Sequence, residues 1–191
     1  MKPTSFRQVA QRLRVPLGFV LAPSLLIFAS PRPASLAIGG VIALAGLAIR
    51  AWASGHLNKM AELTTSGPYA HTRNPLYFGT FLLVVGVAVA TNRVVLGVIA
   101  AIAYLVVYVP VMSAEVETMR SRFPGAYDAW AARVPLFVPR IAPATPLDAA
   151  TCKQFDSSLY LKYREYRAAI GLLAVFGFLV GKMFVGGYLG L

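Results

Sequence analysis

Five apolar runs, approximately Pro16 to Ser30, Ala34 to Trp52, Leu76 to Thr91, Val94 to Met112 and Ala168 to Leu191, alternate with shorter polar segments. About 20 apolar helical residues cross a hydrocarbon core, so each run predicts a membrane-spanning helix, the first and third completed by tilt or flanking residues. The connections "SPRPAS" and "TNR" are tight enough to make the first two and the next two spans antiparallel hairpins. Between the hairpins lies the polar stretch "ASGHLNKMAELTTSGPYAHTRN", and a longer polar region separates the fourth run from the fifth. Polar groups and irregular backbone are costly against lipid, so function is expected in these two segments.

The second polar region opens with "SAEVETMRSRFPGAYDAWAARVPLFVP", in which Met119, Phe123, Tyr127 and Trp130 recur at helical spacing with acids early in the run. It predicts an extension of the fourth span, a break at Pro124-Gly125 and a further amphipathic turn. Phe155, Leu159, Tyr163 and Tyr166 fall on one face beside basic residues, which predicts an interfacial helix leading into the fifth span. The chain shows no internal repeat. The expectation is an all-α polytopic membrane protein of about five transmembrane helices, one domain over 1–191. Its core motifs lie at 67–79 and 115–139, followed by a C-terminal extension over 143–191.

Composition agrees: 58% of the 191 residues are hydrophobic and 13% charged, with a mean hydropathy of +0.66, far above a soluble domain. A formal net charge of +11 would suggest nucleic acid in a soluble chain, but its distribution points elsewhere. Four Lys or Arg precede the first span, one (Arg32) follows it, three (Arg50, Lys59, Arg73) lie around the next loop, one (Arg93) follows the third, and eight fall between Arg120 and Arg167. Alternate loops are rich and poor, the positive-inside pattern of an N-in, C-out protein. The polar segments are therefore expected in the cytoplasm, with membrane lipids as surroundings, no nucleic acid and no obligate protein partner. The basic N-terminus reads as an interfacial lead into the first span rather than a cleaved signal. A single cysteine, Cys152, excludes an internal disulfide, and His56 and His71 lack metal-ligand spacing, so no metal site is expected.

The stretch "GPYAHTRNPLYFG", 67–79, concentrates chemistry at the start of the third span. Asn74 and Pro75 are favoured at the N-cap and first position of a helix, whose positive end suits an anion. Arg73 adds a guanidinium fork for carboxylate or phosphate. Gly79 lets a ligand or another helix approach closely, the Gly67-Pro68-Tyr69 turn fixes the chain path, and Tyr77 offers an aromatic wall. Read from these residues alone, a basic, tyrosine-bearing helix entry is equally an interface anchor.

As a whole the stretch resembles the G-P-Y-x-x-x-R-H-P-x-Y-x-G signature of the isoprenylcysteine carboxyl methyltransferase and phospholipid methyltransferase superfamily. In the downstream block Glu115, Met119, Phe123, Tyr127, Trp130 and Val134 fall on positions matching that family's second signature, and "IRAWASGHLNKMAEL" resembles its lead-in. This chain has Arg-Asn-Pro where the family has Arg-His-Pro, and only Glu115 of the family's paired glutamates, with Glu117 one place late.

The resemblance implies an integral membrane methyltransferase that takes its methyl group from S-adenosylmethionine, yielding S-adenosylhomocysteine, and acts on a lipophilic small molecule or lipid entering from the bilayer. It implies cofactor binding by Gly67, Pro68, Tyr69, His71, Asn74, Pro75, Tyr77, Gly79, Glu115 and Glu117, and catalytic roles for Arg73, Glu115 and Arg133. A carboxylate acceptor is already ionised at neutral pH and needs no general base. An amine acceptor must lose a proton, with Glu115 or His71 as candidates. Three readings stay open: carboxyl O-methylation of an isoprenylcysteine-type substrate, N-methylation of a phospholipid amine or other small amine, and a sterol-type reductase using NADPH in a similar cavity.

Overall fold

The computed structural model describes residues 20–57, 62–146 and 154–189, together with Pro16 and Gly18; Lys59, Cys152 and the basic N-terminal lead lie outside the described residues. The described chain is helical throughout, with no strand. A helix over 20–27 (α1) leads through the proline turn into α2, Pro33–His56. A short 3-10 turn, Gly67–Ala70, precedes α3, Pro75–Ala90, and α4 runs Val94–Arg122. The remaining helices are α5 Ala126–Ala131, α6 Ser157–Lys162 and α7 Tyr166–Leu189.

α2, α4 and the Tyr166–Gly186 part of α7 are long and apolar enough to cross a membrane. α3 has 16 residues, a rise of about 24 Å against a hydrocarbon core of about 30 Å. Large side chains exposed on the long helices, among them Val41, Leu44, Val98, Ile102, Leu173 and Phe184, present the apolar exterior that lipid requires. The chain is an integral membrane protein.

The α2 and α3 backbones meet directly. A side chain on Gly46 would stand 2.6 Å from the Gly79 carbonyl, and one on Gly86 would stand 2.6 Å from both the Gly39 carbonyl and the Ala43 amide. Gly39 and Gly46 on one helix, and Gly79 and Gly86 on the other, are each seven residues apart, two helical turns, so the pairs Gly39/Gly86 and Gly46/Gly79 fit an antiparallel crossing. Small residues let membrane helices approach to backbone distance, where dispersion and not hydrophobic transfer drives association. Gly79 therefore clears space for α2 rather than for a ligand.

Both hairpin turns lie at one end of the bundle. There the Ser30 amide donates to Thr91 O at 2.9 Å, Arg93 Nε donates to Phe28 O at 2.8 Å, and the Lys182 ammonium of α7 donates to Leu26 O at 3.0 Å and to Ile27 O. The polar segments occupy the other end.

Two details differ from the expectations. Arg50, counted with the loop after the second span, lies inside α2, nearly two turns before its end at His56. The expected interfacial helix is interrupted: α6 stops at Lys162, and a turn over 163–165 with Arg164 at φ 55 separates it from α7. Phe155, expected on that helix, precedes it and packs on Gly55, with its ring 6.3 Å from His56.

Candidate functional site: a polar cavity joined to an apolar chamber

The two sequence motifs are laced into one structure. The Arg73 amide donates to Pro135 O, the Arg140 amide to His71 O and the Ala144 amide to Ala70 O, each at 2.9 Å. Thr72 Oγ1 donates to Phe137 O at 2.9 Å, and Asn74 Nδ2 donates to Leu136 O at 2.9 Å. Asn74 thus sits at the N-cap position of α3 without capping it through its side chain; its amide ties the helix entry to 135–140. Beneath this lacing Tyr69, Tyr127, Trp130, Val134, Ala53 and Ala144 form a buried cluster, and Trp130 Nε1 donates to Tyr69 O at 3.2 Å. Gly125, at φ 75, makes the turn from α4 into α5 that swings Tyr127 and Trp130 into the cluster.

These elements enclose a cavity of about 640 Å³, within the range of small-molecule sites. Of the residues singled out by sequence, Tyr69, Arg73, Asn74, Pro75, Tyr77 and Glu115 line it. Glu115 projects from α4 and accepts from the Tyr77 hydroxyl at 2.7 Å. Arg73 Nη1 donates to the Tyr127 hydroxyl at 3.1 Å, with the guanidinium 5.9 Å from that ring's centre. Burial, with the nearby charges of Glu115 and Glu165 and with Tyr163, holds the Tyr69 phenol well above the usual tyrosine range, so it stays a neutral donor.

Gly67, Pro68, His71, Gly79, Glu117 and Arg133 stand outside the lining. Gly67, at φ +57, leaves room for the His56 ring, which a side chain there would strike. His71 Nδ1 donates to Arg140 O at 2.9 Å, and its ring lies 5.9 Å from Trp52. Glu117 and Arg133 are exposed, and the Arg133 carbonyl accepts from Arg140 Nη1 at 3.0 Å.

The cavity also gathers charged residues the motifs did not indicate: Arg50, Glu62, Arg122 and Glu165. Arg50 Nη2 pairs with Glu165 Oε2 at 2.7 Å, with the two side chains 21% and 13% exposed. Its Nη1 donates to Thr80 Oγ1 and, at 3.4 Å, to Leu76 O. Arg50 carried a legible signal, since an ionisable residue in an apolar run marks a site by default; Glu165 carried none. The Nε atoms of Arg50 and Arg73 are buried and find no acceptor among the described residues.

A second chamber, about 340 Å³, lies between α1, α3, α4 and α7. Its walls are nearly all aliphatic, including Leu25, Leu83, Val107 and Val175. Thr80 and Tyr108 line both spaces, so the apolar chamber adjoins the polar cavity where Arg50 meets Thr80. Among the described residues no group of three or more His, Cys, Asp or Glu is placed to hold a metal ion.

Known proteins share parts of this chain. Over 95 residues it is 35% identical to the nickel-cobalt-cadmium resistance protein NccN of Alcaligenes xylosoxydans xylosoxydans, covering 49% of this chain and 44% of that protein. Over 139 residues it is 32% identical to the cobalt-zinc-cadmium resistance protein CzcN of Cupriavidus metallidurans, covering 68% of this chain and 62% of that protein. The matches thus span less than two thirds of either relative. No solved structure matches significantly. Residues 36–125 match the phospholipid methyltransferase family, a segment that runs from α2 through the Arg73 and Glu115 elements to the turn after α4. That family lies within the isoprenylcysteine carboxyl methyltransferase-type superfamily of membrane methyltransferases, which this segment of the chain therefore resembles.

Proposed function

We propose that the chain transfers a methyl group from S-adenosylmethionine to a lipophilic acceptor at the cytoplasmic face of the membrane. One observation carries this reading: a polar cavity lined from both motif blocks adjoins an aliphatic chamber set between the apolar helices α1, α3, α4 and α7. The cavity's residues suit the cofactor part by part. Arg73 has a buried Nε without an acceptor, matched to the carboxylate of the amino-acid end. Glu115, held by Tyr77, offers carboxylate oxygens to an ammonium or to ribose hydroxyls. Tyr69, Tyr127 and Trp130 present aromatic surface for a purine ring, and electron-rich faces of this kind attract a sulfonium. The bound cofactor would supply an electrophilic methyl carbon. The protein's part is to align an acceptor with it, exclude water and balance charge.

The basic enrichment of alternate loops supports the cytoplasmic assignment. The aliphatic chamber supports an acceptor with a hydrocarbon portion. A carboxylate acceptor is favoured by the arginine at the junction, whereas an amine acceptor would use Glu115 as its proton acceptor. The resistance functions in the relatives' names add no acceptor chemistry of their own.

Calorimetric titration of the purified protein with S-adenosylhomocysteine tests the cofactor assignment. Saturable binding is expected, weakened at least about tenfold by Arg73→Ala, the scale of one charge-assisted hydrogen bond. Absence of binding by folded wild-type protein refutes it. Turnover of labelled cofactor with long-chain carboxylic acids and with ethanolamine lipids separates the acceptors, because methyl esters hydrolyse in base and methylamines do not.

A further inference from the structure

Arg50 has the position of a head-group residue. It projects from α2 between two spaces of opposite character, touching Thr80, which lines both. A molecule with its hydrocarbon part in the aliphatic chamber would bring its polar end to this guanidinium. Two features show that the seat is built for an anion. Arg50 Nη2 already grips a carboxylate, Glu165, at 2.7 Å, and its Nε is buried without an acceptor. A guanidinium presents its donors as a planar fork that a carboxylate satisfies two at a time. Glu165 engages Nη2 and Nη1 donates to Thr80 Oγ1 and Leu76 O, so Nε is the donor left without an acceptor among the described residues.

The carboxylate now in the seat belongs to the chain itself, and it comes from beyond the segment that matches the family, which ends at residue 125. Glu165 is carried on the turn between α6 and α7, where Arg164 is held at φ 55, a left-handed conformation that disfavours a side chain. The turn is closed by its own backbone, the Arg164 amide donating to Leu161 O at 3.0 Å and the Glu165 amide to Tyr160 O at 3.3 Å, so the Glu165 side chain can leave Arg50 without the turn refolding. We propose that Arg50 is the seat for the acceptor's carboxylate and that Glu165 occupies this seat until the acceptor displaces it. The proposal deepens the methyl-transfer reading, and rests on it for the word acceptor, by assigning the head-group contact to Arg50 and the occupation of that seat to Glu165. Transfer would then form a bond between one carboxylate oxygen and the methyl carbon as the carbon-sulfur bond of the sulfonium breaks. The products are a neutral methyl ester and S-adenosylhomocysteine, with no proton to be moved. Loss of the acceptor's charge would remove its hold on Arg50, so that Glu165 returns and expels the ester.

The test is equilibrium binding of radiolabelled decanoate and of its methyl ester to the full chain in lipid nanodiscs, corrected with empty nanodiscs. S-adenosylhomocysteine binding is measured on the same samples. The acid should bind wild-type protein more tightly than the ester. Glu165→Gln should tighten the acid about tenfold and leave the ester unchanged, since an amide cannot compete as an anion. Arg50→Lys, which keeps the charge but loses the fork, should narrow the gap between acid and ester, and Arg50→Gln with Glu165→Gln should abolish it. Equal affinities for acid and ester in both wild-type and Glu165→Gln protein, or weaker acid binding after Glu165→Gln, overturn the proposal. Failure of S-adenosylhomocysteine to bind overturns the methyl-transfer reading instead, and the acid-ester comparison still decides the role of Arg50.

Discussion

Replacing Gly46 with alanine probes the contact that positions the whole site. The added methyl would lie 2.6 Å from the Gly79 carbonyl and 2.9 Å from both Leu82 Cβ and the Leu83 amide, where ordinary contact begins at 3.4 Å. Two of these three neighbours are backbone, so α2 and α3 must separate locally by about 0.8 Å rather than adjust one rotamer. Overpacking of this kind costs about 1–3 kcal/mol, and alanine returns up to about 1 kcal/mol of helix propensity. The expected net loss is about 1–2 kcal/mol, or roughly 2–8 °C in midpoint for a chain of this size. Gly177, on α7, has nothing within 4 Å of the same added methyl, so Gly177→Ala should be neutral or slightly stabilising. Thermal unfolding of the detergent-solubilised proteins, followed by circular dichroism, measures both. Arg50 lies one helical turn beyond Gly46, so the separation should also disturb its bond to Thr80. A Gly46→Ala midpoint equal to or above that of Gly177→Ala refutes the close crossing of α2 and α3.

Asn74→Asp should lower the unfolding midpoint more than Asn74→Ala, because it sets a carboxylate oxygen where Nδ2 now donates to Leu136 O at 2.9 Å; a buried bond lost in this way costs about 1–3 kcal/mol. Tyr69→Phe should leave the ultraviolet tyrosinate titration unchanged up to about pH 10, where ordinary tyrosines ionise. The raised phenol of Tyr69 keeps its proton through that range, and its stabilising contribution is complete below that pH and declines only as alkali rises toward the folded-state value. A missing titrating group below pH 10 in the variant would contradict this.

The apolar runs announced α2, α4 and α7 because a span calls for about 20 predominantly apolar helical residues, and Pro124-Gly125 announced the break after α4, where Gly125 takes φ 75. The site was legible only in part. The spacing of the two motifs brought Arg73, Tyr77 and Glu115 together, but it did not reveal which side chains the lacing would consume. His71 is turned onto Arg140 and Asn74 onto Leu136, partners more than sixty residues away that no local pattern announces. The glycine seam was equally hidden, since Gly39, Gly46, Gly79 and Gly86 acquire meaning only once α2 and α3 are known to cross. The break before α7 falls at Arg164, with no glycine, proline or asparagine to mark it, so the periodicity of Phe155, Leu159, Tyr163 and Tyr166 suggested one continuous face.

The placement of the charges separates what the family segment supplies from what this chain adds. Residues 36–125 carry Arg50, Arg73, Tyr77 and Glu115, enough to line one side of the cavity. Tyr127, Trp130 and Glu165 come from later in the chain and complete its lining. The aromatic pair is fixed by the buried cluster and by the lacing of 70–74 to 135–144, so that part of the wall is rigid. Glu165 is held differently: its pair with Arg50 and the α6–α7 turn tie it down, and α7 contacts the rest of the bundle mainly through aliphatic surfaces around a chamber. A rigid aromatic wall suits a ligand that is the same in every turnover. The Glu165 side, tied by its ion pair with Arg50 and by the α6–α7 turn, is where we propose that the acceptor is selected.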